Sequence, residues 1–379
     1  MHILIAPNAF KHSLDAAEAA NAINEGLQQS KLLCTTDCFP VGDGGDGTAA
    51  LLLHHAKGQV ISSTVHDPLG RKISSSFGLI DNGKTAVIEM ADASGLRLLQ
   101  PDELDPLHAS SYGTGELILH ALDHKVNKII LCIGGSATVD GGTGLLHALG
   151  FQFLNKAGDE LKKLPKSLIY LDRIDISGVD KRIMQCELVV LCDVANTLLG
   201  KEGAAAVFGP QKGASPSNVK KLEASLSMLK DVVLKQTGKD ISIVKHGGAA
   251  GGTAAGLAGL LQAQLVNGID YFLSATNFDT ALEKAKLVIT GEGSIDIQTL
   301  QGKGPFGVAR KAKEKGIPVI GLAGKVPLEI SSDLQEYFSV LLSINHELTD
   351  LAEALKNTRA NLVRTARVVG DMIALSKLT

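Results

Sequence analysis

The sequence predicts an α/β fold with two domains, one of them built from both ends of the chain. Short apolar runs are followed by glycine-rich turns and then by helix-like segments, an order typical of parallel-strand units. The run His2–Pro7 begins this pattern, and Leu287–Thr290 and Pro318–Leu322 repeat it near the other end. With 379 residues, 45% of them hydrophobic, the chain is long enough to form two cores.

The first unit is predicted to be a strand, a polar turn and a helix. Ser13 is placed to cap a helix whose apolar residues recur at helical spacing over Leu14–Leu27. Near the other end, we expect a basic helix at Val308–Lys315 and a strand at Val340–Ile344. A last helix is predicted from about Thr349 to Ser376, because its apolar residues line one face.

The middle of the chain carries further β-like runs separated by turn residues. These runs are Val60–Val65, Ile73–Ile80, Lys84–Met90, Lys128–Ile133 and Glu187–Cys192. The sequence Asp81-Asn82-Gly83 between two of them is typical of a hairpin turn. We therefore expect one discontinuous domain, residues 1–63 plus 286–379, and an inserted α/β domain, residues 64–285.

Composition and charge exclude several classes of function. A net charge of −3 without long runs of like charge disfavours binding to nucleic acid or to an anionic membrane. The five cysteines form no CxxC pair, which disfavours a zinc site or a disulfide framework. No apolar run is long enough to span a bilayer. We expect a reduced, cytoplasmic protein, and a homo-oligomer is compatible with the sequence.

The 41 glycines cluster in loops that follow apolar runs, where open α/β sheets bind ligands. In the first loop, Lys11 is placed to meet an anion near a helix N-terminus. The second loop, Gly42–Gly47, matches the GxGxxG pattern of dinucleotide-binding proteins. Asp43 and Asp46 would repel a pyrophosphate there, so a dehydrogenase is disfavoured. Binding of a substrate or of Mg²⁺ is a more suitable role for these carboxylates.

The third loop is the strongest candidate for a phosphate-binding loop. It follows the run Lys128–Ile133 and precedes a predicted helix at Leu145–Leu149. Small residues and hydroxyl groups allow backbone amides to surround phosphate. The candidate residues are Gly134, Gly135, Ser136, Thr138, Asp140, Gly141 and Gly142.

Two further loops carry carboxylates at strand ends. Asp193 follows the run Glu187–Cys192, a common position for a general base or a metal ligand, and equally for a helix cap. Near the C-terminal end, Glu292 and Asp296 precede Lys303. Two carboxylates and a lysine at this spacing suit Mg²⁺ coordination and neutralisation of phosphate charge.

Together these loops resemble the glycerate kinase family of the type common in bacteria, and the resemblance covers essentially the whole chain. The motifs that carry it are APNAFKHSLDA, VGDGGDGT, CIGGSATVDGG, CDVANTLLG, FGPQKGA and TGEGSIDIQTLQGKGPFGVA. The sequence departs from the usual family pattern at Asn8, Val139 and Ser294, where the family usually has Asp, Asn and Arg.

The resemblance implies ATP and Mg²⁺ as cofactors and D-glycerate as the acceptor of the phosphoryl group, in organic acid metabolism. It favours 2-phosphoglycerate over 3-phosphoglycerate as the product. It also implies a Rossmann-like domain built from both chain ends and an inserted flavodoxin-like domain. There are two alternatives: a kinase for a related small hydroxy acid, and a non-catalytic protein that binds a small acid. A measurement of ATP turnover distinguishes the non-catalytic protein from a kinase.

The expected roles of the site residues leave some choices open. Asp193 or Asp43 would act as general base, and Lys11 or Lys303 would offset charge on the transferring group or pair with the glycerate carboxylate. Two further carboxylates, Glu292 and Asp296, would hold Mg²⁺ directly or through water.

Overall fold

The computed structural model describes residues 1–376 and divides the chain into two compact units. Unit 1 comprises residues 1–43 and the chain from Ile269 onward, and unit 2 comprises Gly44–Gly268. The fold is α/β with parallel strands in both units, as predicted.

Residues 1–376 contain thirteen strands and fourteen α-helices. The strands are β1 His2–Ile5, β2 Thr35–Cys38, β3 Gln59–His66, β4 Lys72–Ile80, β5 Thr85–Glu89, β6 Lys128–Cys132, β7 Gln152–Leu154, β8 Arg173–Asp175, β9 Glu187–Cys192, β10 Gln264–Asn267, β11 Leu287–Ser294, β12 Val319–Lys325 and β13 Val340–Ser343. The helices are α1 Ala16–Gln28, α2 Thr48–Ala56, α3 Ala91–Ser94, α4 Tyr112–Asp123, α5 Thr143–Ala148, α6 Ala204–Phe208, α7 Pro216–Thr237, α8 Thr253–Leu260, α9 Gly268–Ala275, α10 Phe278–Lys284, α11 Gly304–Glu314, α12 Ser332–Gln335, α13 Leu351–Lys356 and α14 Thr358–Leu375.

The sheet of unit 1 has five parallel strands in the order β13–β12–β11–β1–β2. From β1 the chain continues to β2 on one side, whereas from β11 it continues to β12 and β13 on the other. The carboxyl ends of β1 and β11 therefore flank a topological switch point, the place where open α/β sheets bind ligands.

Two long helices cover this sheet and differ in detail from the prediction. The residue that caps helix α1 is Asp15 and not Ser13, because Asp15 and Glu18 form a capping box. The Ser13 hydroxyl instead donates to the Leu355 carbonyl at 2.6 Å. The predicted last helix is divided into α13 and α14 at Asn357. The backbones of α1 and α14 approach closely, since a Cβ on Gly26 would lie 2.2 Å from the Val363 carbonyl oxygen.

The sheet of unit 2 is mixed, with the order β10–β9–β6–β5–β4–β3. Strands β3, β4 and β5 are antiparallel, whereas β5, β6, β9 and β10 are parallel. The turn predicted at Asp81-Asn82-Gly83 is confirmed between β4 and β5. Loops at the carboxyl ends of β5, β6 and β9 are thereby brought to one edge of the sheet.

Both boundaries between the two units lie earlier in the chain than the sequence predicts. The first falls after residue 43 rather than 63, and the second after residue 268 rather than 285. At the first boundary, β3 pairs with β4 over its full length and so belongs to unit 2. At the second, Phe278 packs edge-on against Phe39, which places α10 in unit 1. The assignment of the units as Rossmann-like and flavodoxin-like domains stays a prediction.

No helix among the described residues combines the length and the apolar character that a bilayer span requires.

Candidate active site

In unit 1, polar side chains gather at the carboxyl ends of β1 and β11. We call Asn8, Lys11, Asp43, Glu292, Thr299 and Lys303 the glutamate site. Asn8 follows β1, Glu292 lies near the end of β11, and Asp43 ends the first segment of unit 1. The site therefore occupies the switch point of the sheet.

The Asp43 carboxylate is held by two donors. Its Oδ2 atom accepts hydrogen bonds from Asn8 Nδ2 at 2.8 Å and from the Gly304 amide at 3.2 Å. The orientation of the Asn8 amide is fixed because its Oδ1 accepts the Ala9 amide hydrogen at 2.8 Å. Since Gly304 begins α11, the Asp43 carboxylate lies at the positive end of that helix.

Glu292 is the most strongly perturbed acid of the glutamate site. Its side chain is 7% exposed, and burial raises the pKa of its carboxyl to about 7. The Asp43 charge adds to this increase in pKa, whereas Lys303 and Lys11 oppose it. The Thr299 hydroxyl donates to Glu292 Oε1 at 3.0 Å and also favours the charged form.

The second predicted metal ligand, Asp296, has a capping role in the structure. Its Oδ1 accepts the Gln298 amide hydrogen at 2.8 Å and so begins a short helical turn. Thr299 connects Asp296 to Glu292, because its hydroxyl accepts the Asp296 amide hydrogen and donates to Glu292. Across residues 1–376, no three His, Cys, Asp or Glu side chains gather as a group that could hold a metal.

The two lysines of the glutamate site differ in position. Lys11 is exposed in the loop after β1, and Lys303 is half-buried at the start of α11. Both are close enough to Glu292 for their charge to lower its pKa, so the structure brings together these predicted residues.

In unit 2, the glycine-rich loop after β6 donates many of its amides to the protein itself. The amides already engaged are those of Gly134, Ala137, Gly141, Gly142, Thr143 and Gly144. Among the predicted phosphate-binding residues of this loop, Gly135, Ser136, Thr138 and Asp140 keep amides without a protein acceptor in the part of the chain that the structure describes. A phosphate cradle in this loop would therefore be narrower than the sequence indicates.

Asp140 holds this loop in place. Its carboxylate accepts hydrogen bonds from the Ser111 hydroxyl at 2.6 Å and from the amides of Ser111, Gly142 and Gly144 at 3.0, 3.0 and 3.2 Å. The side chain is fully buried. Four donors satisfy a carboxylate, so this geometry favours a positioning role over direct contact with a ligand.

The GxGxxG segment does not form a dinucleotide-binding turn. Helix α2 begins after Gly47, and the buried Glu89 carboxylate accepts the amide hydrogens of Gly47 at 2.7 Å and Ala49 at 3.2 Å. A protein carboxylate thus occupies the position at a helix N-terminus that a pyrophosphate would need. Gly135 packs against Asp46, since a Cβ on Gly135 would lie 1.9 Å from Asp46 Oδ1.

Lys212 was not among the predicted site residues, yet it is the most strongly perturbed base of unit 2. The residue is 3% exposed, and its ammonium group donates to Ser136 Oγ and to the Thr138 carbonyl, both at 2.8 Å. Burial lowers the pKa of Lys212 to about 7, and the charges of Asp140 and Asp193 only partly oppose this. We call Ser136, Thr138, Asp140, Asp193 and Lys212 the lysine site.

Asp193 lies at the carboxyl end of β9, as predicted, and is half-buried. The next residue, Val194, accepts a hydrogen bond from His246 Nδ1 at 2.6 Å. A carbonyl only accepts, so Nδ1 carries the proton and Nε2 is the basic nitrogen. His246 is 5% exposed and has a φ of 68°, an unusual conformation for this residue type. The sequence gives no local signal for this contact, because His246 and Val194 are 52 positions apart.

Comparisons with known proteins agree with the motifs. The profile of the Glycerate kinase family matches residues 3–374. The chain is 43% identical over 377 residues to Glycerate kinase of Bacillus subtilis (strain 168), covering 100% of this chain and 99% of that protein. It is 41% identical over 375 residues to Glycerate 2-kinase of Escherichia coli (strain K12), covering 99% and 98%.

A solved structure extends the similarity to the fold. The crystal structure of a candidate glycerate kinase 2 from Salmonella typhimurium LT2 aligns with a TM-score of 0.81 at 41% identity, covering 100% of both chains. The chain belongs to the glycerate kinase family.

Proposed function

We propose that the protein is a glycerate kinase, which transfers the γ-phosphoryl group of ATP to a hydroxyl group of D-glycerate, with 2-phosphoglycerate favoured as the product. The observation that carries the proposal is similarity over the whole chain to relatives named for this activity, one of which is named Glycerate 2-kinase. Each unit also carries charged side chains at its strand ends, which supports the proposal because phosphoryl transfer depends on positioning and electrostatics.

Two carboxylates are proposed for the general base that accepts the hydroxyl proton. Asp43 is rigidly held, because Asn8 and Gly304 both donate to its Oδ2 atom. Asp193 follows β9 at the same sheet edge as the glycine-rich loop. Either carboxylate would act by accepting a proton as the hydroxyl oxygen attacks phosphorus.

The lysines Lys11 and Lys303 are proposed to bind an anionic group in unit 1. Lys11 is exposed, so its ammonium group can reach a bound ligand, and Lys303 lies at the start of α11 where anions are favoured. Their targets would be the phosphoryl group in transfer or the glycerate carboxylate.

In unit 2, the loop after β6 is proposed to position the ATP phosphates. Gly135, Ser136 and Thr138 offer amides and hydroxyl groups, while Gly134, Gly141 and Gly142 shape the turn. Asp140 holds the loop through its four hydrogen bonds. The resulting rigidity would fix the phosphates without reorganisation during the reaction.

Glu292 of the glutamate site is proposed to hold a magnesium ion together with Asp296, to which Thr299 connects it. Both side chains offer hard oxygen donors, and a cation would stabilise the charged form of the buried Glu292 carboxylate, whose pKa burial raises. Mg²⁺ is usually held by one or two carboxylates together with waters and substrate phosphates. When bound, it would offset the negative charge of the phosphates.

The test is an assay of the purified protein with Mg²⁺, ATP and D-glycerate, followed by ³¹P NMR of the product. We expect a phosphomonoester of glycerate whose phosphorus–proton coupling corresponds to one neighbouring proton, as for substitution at O2. Coupling to two protons would assign the product as 3-phosphoglycerate. Turnover with other hydroxy acids but not with glycerate would contradict the proposed acceptor, and no ATP turnover with any of them would contradict the kinase.

A further inference from the structure

Lys212 extends from a short turn between α6 and α7 to the glycine-rich loop after β6. Its ammonium group can donate three hydrogen bonds, and the structure assigns two of them to Ser136 Oγ and the Thr138 carbonyl. Both of these acceptors are uncharged. The turn that carries Lys212 is fixed by Gly213, whose φ is 95° and whose Cβ would lie 2.3 Å from the Leu104 carbonyl oxygen.

Stability alone does not account for a charged group at this place. Burial of an ammonium group with neutral acceptors costs free energy, and an apolar side chain of similar volume is often neutral or stabilising at such positions. Asp140, the fully buried carboxylate nearby, directs its oxygens to four other donors. A perturbed, buried base at the carboxyl ends of strands is instead typical of functional sites.

The hydrogen bond to Ser136 determines what that hydroxyl can do. In its ammonium form Lys212 has no lone pair, so Ser136 Oγ is then the acceptor, and the hydroxyl hydrogen of Ser136 is available to a second acceptor. A donor that itself receives a hydrogen bond from a cation is strengthened. The arrangement therefore turns the Ser136 hydroxyl into a donor for an acceptor atom that the protein does not supply.

A second polar group beside the lysine is also without a partner. Thr138 Oγ1 is fully buried and forms no hydrogen bond with any of residues 1–376. Buried hydroxyl groups are rarely left in this state, and a missing ligand atom is one explanation for such a group. The Thr138 carbonyl of the same residue accepts from Lys212, so this hydroxyl belongs to the same cluster.

We propose that Lys212 and Ser136 form an oxyanion-binding pair for the phosphotransferase reaction proposed above, and the inference rests on that function. The ligand would be an oxygen of a nucleotide phosphate or of the hydroxy-acid carboxylate. Ser136 would donate its hydroxyl hydrogen to this oxygen, and the ammonium group would supply the compensating charge.

This pairing has a measurable consequence for protons. In the free protein, burial lowers the pKa of Lys212 to about 7, against the opposing charges of Asp140 and Asp193. At pH 8 the amine is therefore largely uncharged. An anion beside it favours the ammonium form, so ligand binding at pH 8 should take up a proton, whereas binding at pH 5.5 should not.

The experiment is isothermal titration calorimetry at pH 8 in two buffers of different ionisation enthalpy, with ADP and D-glycerate as separate ligands. Wild type is compared with Lys212→Met, Ser136→Ala and the double variant, and with the exposed control Lys221→Met on α7. For one of the two ligands, we expect proton uptake by wild type and the control. We expect none with Lys212→Met, and an affinity at least tenfold lower.

The double variant tests whether the two residues act as one unit. We expect its loss of affinity to be close to that of Lys212→Met alone, because coupled residues are not additive. The melting temperature of Lys212→Met should equal or exceed that of wild type. A purely structural lysine would instead give a lower melting temperature with ligand affinities unchanged per folded molecule, and Lys212→Gln provides a second uncharged variant if Met does not fold.

Two results would overturn the pair. The first is that Lys212→Met and Lys212→Gln bind both ligands with wild-type affinity and wild-type proton uptake. The second is that the losses of binding free energy caused by Lys212→Met and Ser136→Ala are fully additive in the double variant. The proposed function is judged separately by wild-type turnover of D-glycerate. If that turnover is present while Lys212→Met behaves as wild type, only the oxyanion pair fails, and if it is absent, the function fails.

Discussion

Glu292 in unit 1 and Lys212 in unit 2 are both buried ionisable groups near the carboxyl ends of parallel strands, and they differ in the sign of their charge. Burial raises the pKa of Glu292 to about 7 and lowers that of Lys212 to about 7. The same loss of solvation thus disfavours the charged form of each group. Near neutral pH, both groups can change their charge when a ligand of opposite sign arrives.

The surroundings of the two groups show how each unit uses this property. Glu292 lies among charges of both signs, since Asp43, Lys11 and Lys303 all affect its pKa. Lys212 donates only to uncharged acceptors, and its fully buried neighbour Asp140 is occupied by four donors. A cation or a hydroxyl group therefore suits the surroundings of Glu292, whereas an oxyanion suits the surroundings of Lys212.

The largest expected effect concerns the general base, which can lie in either unit. We expect one of the variants Asp43→Asn and Asp193→Asn to lower kcat by about 10²–10⁴-fold, because the amide cannot accept the hydroxyl proton. The other variant should change KM more than kcat. Steady-state kinetics with D-glycerate and ATP distinguish the two variants. Unchanged turnover in both would show that neither Asp43 nor Asp193 is the general base.

A second prediction separates the two units by the pH dependence of stability. The pKa of Glu292 is higher in the folded state than its ordinary value of 4.5, so its contribution to stability is lost as pH rises from about 4.5 to about 7. The pKa of Lys212 is lower than its ordinary 10.5, so its contribution is lost as pH falls from about 10.5 to about 7.

The variants should therefore be stabilised on opposite sides of neutrality. Relative to wild type, Glu292→Gln should gain stability as pH rises towards 7 and keep that gain above it. Lys212→Met should gain stability as pH falls towards 7 and keep it below. Each gain should be at least about 1 kcal/mol, measured as melting temperature against pH in EDTA. Gains on the same side of pH 7 would contradict the comparison.

The smallest expected effect comes from Asn8, whose amide lies 2.8 Å from the Asp43 carboxylate. Asn8→Asp would place two carboxylates at this distance, and they would share a proton. We expect the acid limb of the kcat/KM profile to move to higher pH by about one unit. An unchanged acid limb would mean that ionised Asp43 is not required.

An exchange of the two residues provides the control. The variant Asn8→Asp/Asp43→Asn keeps the paired side chains but moves the charge to position 8. If the carboxylate of Asp43 itself takes part in the reaction, this variant should fold normally and be poorly active. Normal activity would indicate that the pair serves only to pack β1 against α11.

The sequence was sufficient to predict the α/β class and the strand-end loops, because buried parallel strands are continuous apolar runs followed by glycine. The turn Asp81-Asn82-Gly83 and strand Glu187–Cys192 have local signals and are confirmed. The cap of α1 was misplaced by two residues, since Ser13 and Asp15 are both good caps and only Asp15 has Glu18 three positions later.

The parts of the site that were missed depend on contacts between distant segments. Lys212 is indistinguishable in sequence from a solvated loop lysine, and its burial follows from packing against the loop that contains Ser136. Its place in the motif FGPQKGA was the one available signal. The part that Asp140 plays in holding the loop likewise depends on Ser111, which is remote in sequence and supplies two of its hydrogen bonds. Contact between Asp140 and a cofactor stays a prediction.

The roles of Glu292 and Lys212 are tested most directly by the rate of ADP release by wild type, Glu292→Gln and Lys212→Met, measured with and without D-glycerate. We predict release by wild type that depends on glycerate, and a loss of at least about 10²-fold in kcat/KM for each variant. Both variants should retain the wild-type fold by circular dichroism. Wild-type turnover in both variants would contradict the claim that Glu292 and Lys212 each contribute to phosphoryl transfer.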